Sequence, residues 1–255
     1  MQPTLVAYNP PNSSTEMGIE DLSIKLSPTC SGTNLNSTTC NAAAISFESW
    51  TVNSWARNLQ LSGFNSFIEV QENSSQITIQ NITMLRDANS TGVALPTDIT
   101  IMGSQLLVAD SQQAGLPTAE SFAVMTESLT PGPNAVLRHS TPSNLQMLEP
   151  HQRWAHGLLI EDTSAPVHLI NRATNGTGHG WAINAGVGWN LRGYSIVQSP
   201  PLGVNWCIGC SGTIDKRSNG TFVYSGKQVE PRSLFGYQLQ SRMNGTVNSG
   251  QRRMR

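Results

Sequence analysis

The chain has 255 residues and a net charge of −1, and only 12% of it is charged, about half the usual share of a globular domain. No Lys/Arg stripe precedes the last few residues, Arg252, Arg253 and Arg255, which argues against a nucleic-acid partner. No apolar run reaches the roughly 18 residues of a membrane helix, while a 38% hydrophobic content suffices for a folded core. Polarity is carried by uncharged residues, among them 21 asparagines, which suit a fold rich in turns.

In chain order, residues 1–17 read as an irregular N-terminal segment. They lack the basic start and apolar stretch of a signal peptide, so a shortened N-terminus is expected. Short alternating runs follow: Leu22–Leu26, Ala44–Phe47, Leu59–Leu61, Ile77–Ile79, Ile99–Ile101, Phe122–Val124 and Leu158–Ile160. Period-two alternation marks half-buried strands, and Gly, Asn and Pro punctuate the gaps. Apolar centres recur about every 20–25 residues, as in Ile79 to Ile101 to Val124 and Leu159 to Ile183 to Ile208, which is the spacing of a solenoid. A β-sandwich would place turn signals every ~8–12 residues. Gln76–Met84 and Asn53–Leu61 read as strand–turn–strand pieces of one coil, with Asn81 stacking at a corner. The expectation is an all-β, single-stranded parallel β-helix over 18–230, missing its first coils. A short capping helix at 231–243 and a flexible tail at 244–255 complete it.

Eight Asn-x-Ser/Thr sequons, at Asn12, Asn36, Asn73, Asn81, Asn89, Asn175, Asn219 and Asn244, point to a secreted glycoprotein. Four cysteines suit an oxidising compartment, where Cys30–Cys40 and Cys207–Cys210 would close two small loops. Connectivity is not fixed by sequence, and a zinc site from all four remains an alternative.

Potential chemistry concentrates between Pro150 and Cys210. His151-Gln-Arg153-Trp154, Gly178-His179-Gly180-Trp181, Trp189-Asn190 and Asn205-Trp206-x-x-Gly209 recur at about one coil each. Stacking would align His151, Arg153, Trp154, His179, Trp181 and Trp206 along one wall, where tryptophan faces hold sugar rings and arginine receives carboxylates. This four-part pattern resembles that of pectate-lyase-like, right-handed parallel β-helix proteins secreted by fungi and bacteria. A looser likeness runs upstream through Gly18-Ile-Glu-Asp-Leu22. The resemblance implies a polysaccharide lyase or a related glycosidase acting as a monomer on an acidic glycan. For β-elimination, His151 or His179 would be the base and Arg153 would neutralise the uronate carboxylate. Trp154, Trp181, Asn184, Trp189, Asn190 and Tyr194 would bind substrate. Gly178-His179-Gly180 also occurs in polygalacturonase-like helices, but their other acidic and basic motifs are absent, leaving only the pair Glu161-Asp162. Calcium, which many pectate lyases hold through clustered acids, has no such cluster here, so no metal or cofactor is expected. A non-catalytic glycan-binding module and a β-helix repurposed for a small metabolite are the alternatives.

Overall fold

The alternating runs are strands. The computed structural model describes residues 11–26, 43–86 and 95–252, with side chains to residue 244; among these are twenty strands and one helix. Every pairing between named strands is parallel. Parallel partners cannot be joined by a hairpin, so the chain must travel away and return before it pairs.

Strands are dealt alternately to an eleven-stranded and a seven-stranded sheet, with a two-stranded piece, Ala155–His156 on Ile183–Asn184, beside them. Thr51–Ser62 and Ser75–Arg86 lie in the long sheet, for example, and Ser66–Val70 and Thr97–Ile101 in the other. Each return lays one strand beside its predecessor. Ile79 pairs with Val108, Val108 with Val136, Val136 with Ile160, Ile160 with Gly188 and Gly188 with Cys207. These side chains point inward and, with Ile99, Ile101, Val167 and Leu169, form one continuous apolar core. A buried ion pair, Arg86 Nη2 to Asp98 at 2.6 Å, joins the end of a long-sheet strand to the seven-stranded sheet. The Ser121 hydroxyl donates to Asp98, and the Phe64 and Asn65 carbonyls accept from Arg86.

The spacing argument located the strands but not their partners. Ile79 pairs with Val108 in the long sheet and Ile101 with Val70 in the seven-stranded one, so these two residues spaced as successive coils belong to different sheets. Likewise Leu159 meets Val187, while Ile183 meets Ala155. Loops of unequal length separate equivalent positions, and a fixed period does not survive them.

Corners carry a second regularity. At one corner every return has a residue in left-handed backbone: Asp21, Asn58, Asn81, Asp110, Arg138, Asp162, Asn190, Gly209 and Tyr224, with φ between 47° and 69°. Their strand neighbours are in register, so the nine form a column. Asn81 does stack there, but its Nδ2 donates to the Asn58 side chain at 2.9 Å rather than to backbone. Asn58 in turn donates to Asp21 at 2.8 Å.

The helix spans Leu234–Arg252, starting later and running further than the expected 231–243, so the expected tail is helical as far as Arg252. Ser233 caps its start, accepting from the Gly236 amide at 3.0 Å. Rather than closing the end of the stack, it begins against the outer side of the long sheet, where Phe235 packs on Leu107, Ala109, Ala135, Leu137 and Leu159. Those outward apolar residues need cover, and Phe235 supplies it. The first residues are not wholly irregular, since Ser14–Thr15 pairs with Thr51–Val52.

Cys207 and Cys210 form a disulfide as expected, whereas Cys30 and Cys40 lie outside the described residues. Six sequon asparagines, Asn12, Asn73, Asn81, Asn175, Asn219 and Asn244, are on the surface; Asn36 and Asn89 lie outside the described residues. Among the described residues, no helix is long and apolar enough to cross a membrane.

From the Asn58 corner to the Gly209 corner the following residue faces inward, and the stack Leu59, Ile82, Ser111, His139, Thr163, Leu191 and Cys210 is buried throughout. Neither ring nitrogen of His139 has a hydrogen-bond partner, and burial pulls its pKa down to about 4 from 6.5. The unfolded chain therefore binds a proton that the folded one refuses between these values. Stability from this group is complete above pH 6.5 and declines by up to about 3 kcal/mol as pH falls to 4. Denaturant titrations of the parent and of His139→Leu, at pH 7 and pH 4, should show that decline in the parent and its near absence in the variant.

Candidate functional site

The outer face of the seven-stranded sheet gathers a cluster of titratable side chains that are distant in sequence and close in space. Its strands Ser66–Val70, Thr97–Ile101, Ser121–Thr126 and Gln146–Leu148 lie side by side. The loops that follow the last two bring Glu127 beside His151. His151 Nδ1 lies 3.5 Å from Glu127 Oε1, and Gln152 Nε2 donates to the other carboxylate oxygen. One return later, the His179 ring meets His151 edge-on, with centroids 4.6 Å apart. Phe122 backs the pair, 5.4 Å from the His151 ring, and carries the Arg172 guanidinium over its own ring at 5.3 Å.

Electrostatics follow from these contacts. Burial pushes the Glu127 carboxyl up, but the adjacent His151 ring and the Gln152 hydrogen bond outweigh that and hold it below the usual range, so it stays ionised. Burial, reinforced by His151 and the charges of Arg172 and Arg153, lowers the pKa of His179. His179 is thus neutral at neutral pH, with Nδ1 buried and unpartnered, while the side chain of His151 is 24% exposed.

Local backbone sets this arrangement. Gly178 and Gly180 take φ of 82° and 59° with nothing near a would-be Cβ, so these two glycines serve the left-handed turn and not close packing. Gly176 differs: a Cβ there would sit 2.2 Å from His179 Nε2, so its absence makes room for the ring.

Arg153 is half-buried, and its Nε and one terminal nitrogen donate to the Gly178 and Thr177 carbonyls, clasping the loop that carries His179. Trp154 is exposed and its amide donates to the Trp181 carbonyl at 2.9 Å, which sets both tryptophans at the same edge. His151, Arg153, Trp154, His179 and Trp181 are therefore brought together.

The other expected binding residues are not. Trp189 and Asn190 lie in and after a long-sheet strand and hold the C-terminal segment. Trp189 Nε1 donates to the Pro231 carbonyl at 3.0 Å, while Asn190 bonds Val229 twice and Arg232 once. Asn184 accepts from the Val204 amide at 3.1 Å, a loop-bracing role. Trp206 also belongs to the long sheet. Glu161 accepts from the Phe235 amide at the helix start, and Asp162 pairs with Arg192 and Arg232, so this acidic pair is an anchor. Tyr194 belongs to a neighbouring cluster: it bonds Asp215, which raises its pKa, and its ring lies 5.9 Å from that of His168. His168 meets Glu149 at 2.7 Å, and Glu149 also binds Arg172.

An open cleft of about 460 Å³ runs from this cluster across the sheet, lined by Ser66, Glu69, Thr97, Thr100, Met125 and Glu127 among others. No family model, no curated protein and no solved structure matches this chain. Its chemistry must therefore be read from the site itself. A neutral imidazole beside an imidazole–carboxylate couple can move protons, and an open cleft can admit a chain.

Sequence reading missed Glu127, Glu149, Phe122 and Arg172, each isolated among apolar or turn residues. The one available signal was distance: Glu127 precedes His151 by about the same interval as His151 precedes His179.

Replacing Asn190 by Ala removes three hydrogen bonds to the C-terminal segment and should cost about 3 kcal/mol, near 1 per bond. Hydrogen exchange should then accelerate over 229–244 and leave the His151–His179 region unchanged.

Proposed function

We propose that this chain is a secreted, right-handed parallel β-helix of the pectate-lyase-like kind, and that it cleaves a uronate-containing glycan by β-elimination. Stacked parallel returns with one inward column per strand support the fold reading. A doubly wound α/β sheet, the other source of long parallel sheets, needs a helix in its crossovers, and among the described residues the one helix follows the last strand. Right-handedness follows the general preference of parallel crossovers. Surface sequons and the Cys207–Cys210 disulfide support secretion.

The observation that carries the catalytic reading is the contact of His151 and His179 beside Glu127, which with Gln152 lines one end of the open cleft. In the reaction a base removes the C5 proton of a uronate. The electron pair forms the C4–C5 double bond, the C4–O bond breaks, and the departing oxygen takes a proton. His179, kept neutral by its surroundings, suits the base, and His151, oriented by Glu127, suits the proton donor. Arg153 hydrogen-bonds neutral oxygens, so its charge is available to the uronate carboxylate. Arg172 is already neutralised by Glu149. A second reading, glycoside hydrolysis, draws on the carboxylates Glu69, Glu72 and Glu127 along one cleft.

Absorbance of unsaturated uronate is the assay. With a uronate-containing glycan the parent should generate the band, and His151→Ala and His179→Ala should each lose at least about 100-fold in kcat/KM while melting as the parent does. The acid limb of kcat/KM should report an apparent pKa below 6.5, because a His179 pKa lowered from that value stays deprotonated further into acid. New reducing ends without the band would replace elimination by hydrolysis. Retention on polymer with neither product would leave a binding module.

A further inference from the structure

The cleft and the imidazole pair differ in charge. Its wall carries Glu69, Glu72 and Glu127 and no Lys or Arg, whereas Arg153 and Arg172 cluster at the imidazole end. Glu127 belongs to both and marks the boundary. A polymer with a carboxylate on every ring would lay negative groups against Glu69 and Glu72, where no cation lining the cleft offsets them. Like charges a few ångströms apart across such a cleft repel one another.

The remaining lining is suited to hydroxyls and to the apolar faces of rings. Ser66 is 3% exposed, lines the cleft, and its Oγ has no hydrogen-bond partner. A buried hydroxyl left unsatisfied is costly unless a ligand completes it. Thr97 and Thr100 add polar groups, and Met102 and Met125 add soft apolar surface. Exposed carboxylates accept hydrogen bonds from sugar hydroxyls or amides, which favours a ring with donors and without its own negative charge.

We infer that the substrate is a mixed glycan, in which the uronate placed at His151 and His179 is followed along the Glu69–Glu72 wall by a non-acidic sugar, neutral or amino-bearing. This deepens the elimination reading and rests on it for the position of the uronate. Polymers made of uronate alone are the wrong class, because every second ring would face the carboxylates.

The test compares polygalacturonate with hyaluronan, which alternates uronate with an N-acetylated amino sugar. Two readouts are taken on the full chain: the unsaturated-uronate band, and retardation in gels containing each polymer. Hyaluronan should be processed and retained at least tenfold better than polygalacturonate, and Glu69→Gln with Glu72→Gln should shrink that ratio by improving polygalacturonate. Equal processing of both polymers by the parent would overturn the inference and leave the elimination reading standing. Preferential retention of hyaluronan with no unsaturated product from either would uphold the charge preference and end the elimination reading. Retention of neither would end both. Because Glu69 and Glu72 are not buried, their Gln variants should melt with the parent, which separates recognition from folding.

Discussion

Nine corner residues bent into left-handed backbone hold this molecule in register. Each such residue costs free energy unless its side chain tolerates the conformation, and Asn and Asp tolerate it best. Six of the nine are Asn or Asp and one is Gly. Stacking turns that local cost into a shared constraint. Asp21, Asn58 and Asn81 bond side chain to side chain, and Arg138, an unfavourable type at such a φ, is held by Asp110 through Nη2 at 2.9 Å. Once the corner is fixed, the following residue must face the core and the preceding one must face out. A slip of one position would reverse every side chain on the strand. The buried column from Leu59 to Cys210 is the direct consequence, polar members included.

That registration is what makes a site possible. No element here places two reactive side chains near each other by its own geometry, as a helix does at i and i+4. Glu127, His151 and His179 come from three successive returns, and their proximity exists only while the returns stack. Arg153 adds a local tie between two of them by binding the Thr177 and Gly178 carbonyls. Phe122 supplies a rigid floor touched by both an imidazole and a guanidinium. Pre-organisation of this kind reduces the reordering needed when a chain-like ligand arrives.

Strands were legible in the sequence because alternation is local: the cores of Gly18–Lys25 and Ser75–Arg86 follow it, whereas Ser121–Thr126 is a short run buried on both faces. Register was not, because it depends on loop lengths. Asn58 lies 37 residues beyond its partner Asp21 but 23 before Asn81. The histidines were legible through their glycine- and tryptophan-rich surroundings. Trp189 and Asn190 misled for a physical reason, since an indole N–H and a carboxamide satisfy a protein backbone as well as a sugar hydroxyl. Glu127 and Glu149 gave no local sign at all. A single carboxylate next to a turn looks like solvated surface until the neighbouring return supplies its imidazole. The helix start carried its signal in Ser233, but the apolar outer patch that receives Phe235 could be seen only after Leu107, Ala135 and Leu159 were known to share one face.

The dense segment from Pro150 to Cys210 therefore does two jobs on opposite sides of the same stack. Its loops after the seven-stranded sheet present the imidazoles, and its long-sheet strands and corners present Glu161, Asp162, Trp189 and Asn190 to the C-terminal segment. The division explains why one compositional cluster contains residues with unrelated environments. Trp154 is exposed at the site edge, whereas Trp189 is buried under Pro231. It also separates consequences. A substitution on the anchored side acts on the C-terminal segment through lost hydrogen bonds, several residues away from any imidazole. A substitution on the imidazole side alters charge and proton affinity on an outer face whose removal leaves the apolar core intact. Chemistry and cohesion thus occupy adjacent positions of one winding, and the two faces are set apart by the inward column between them.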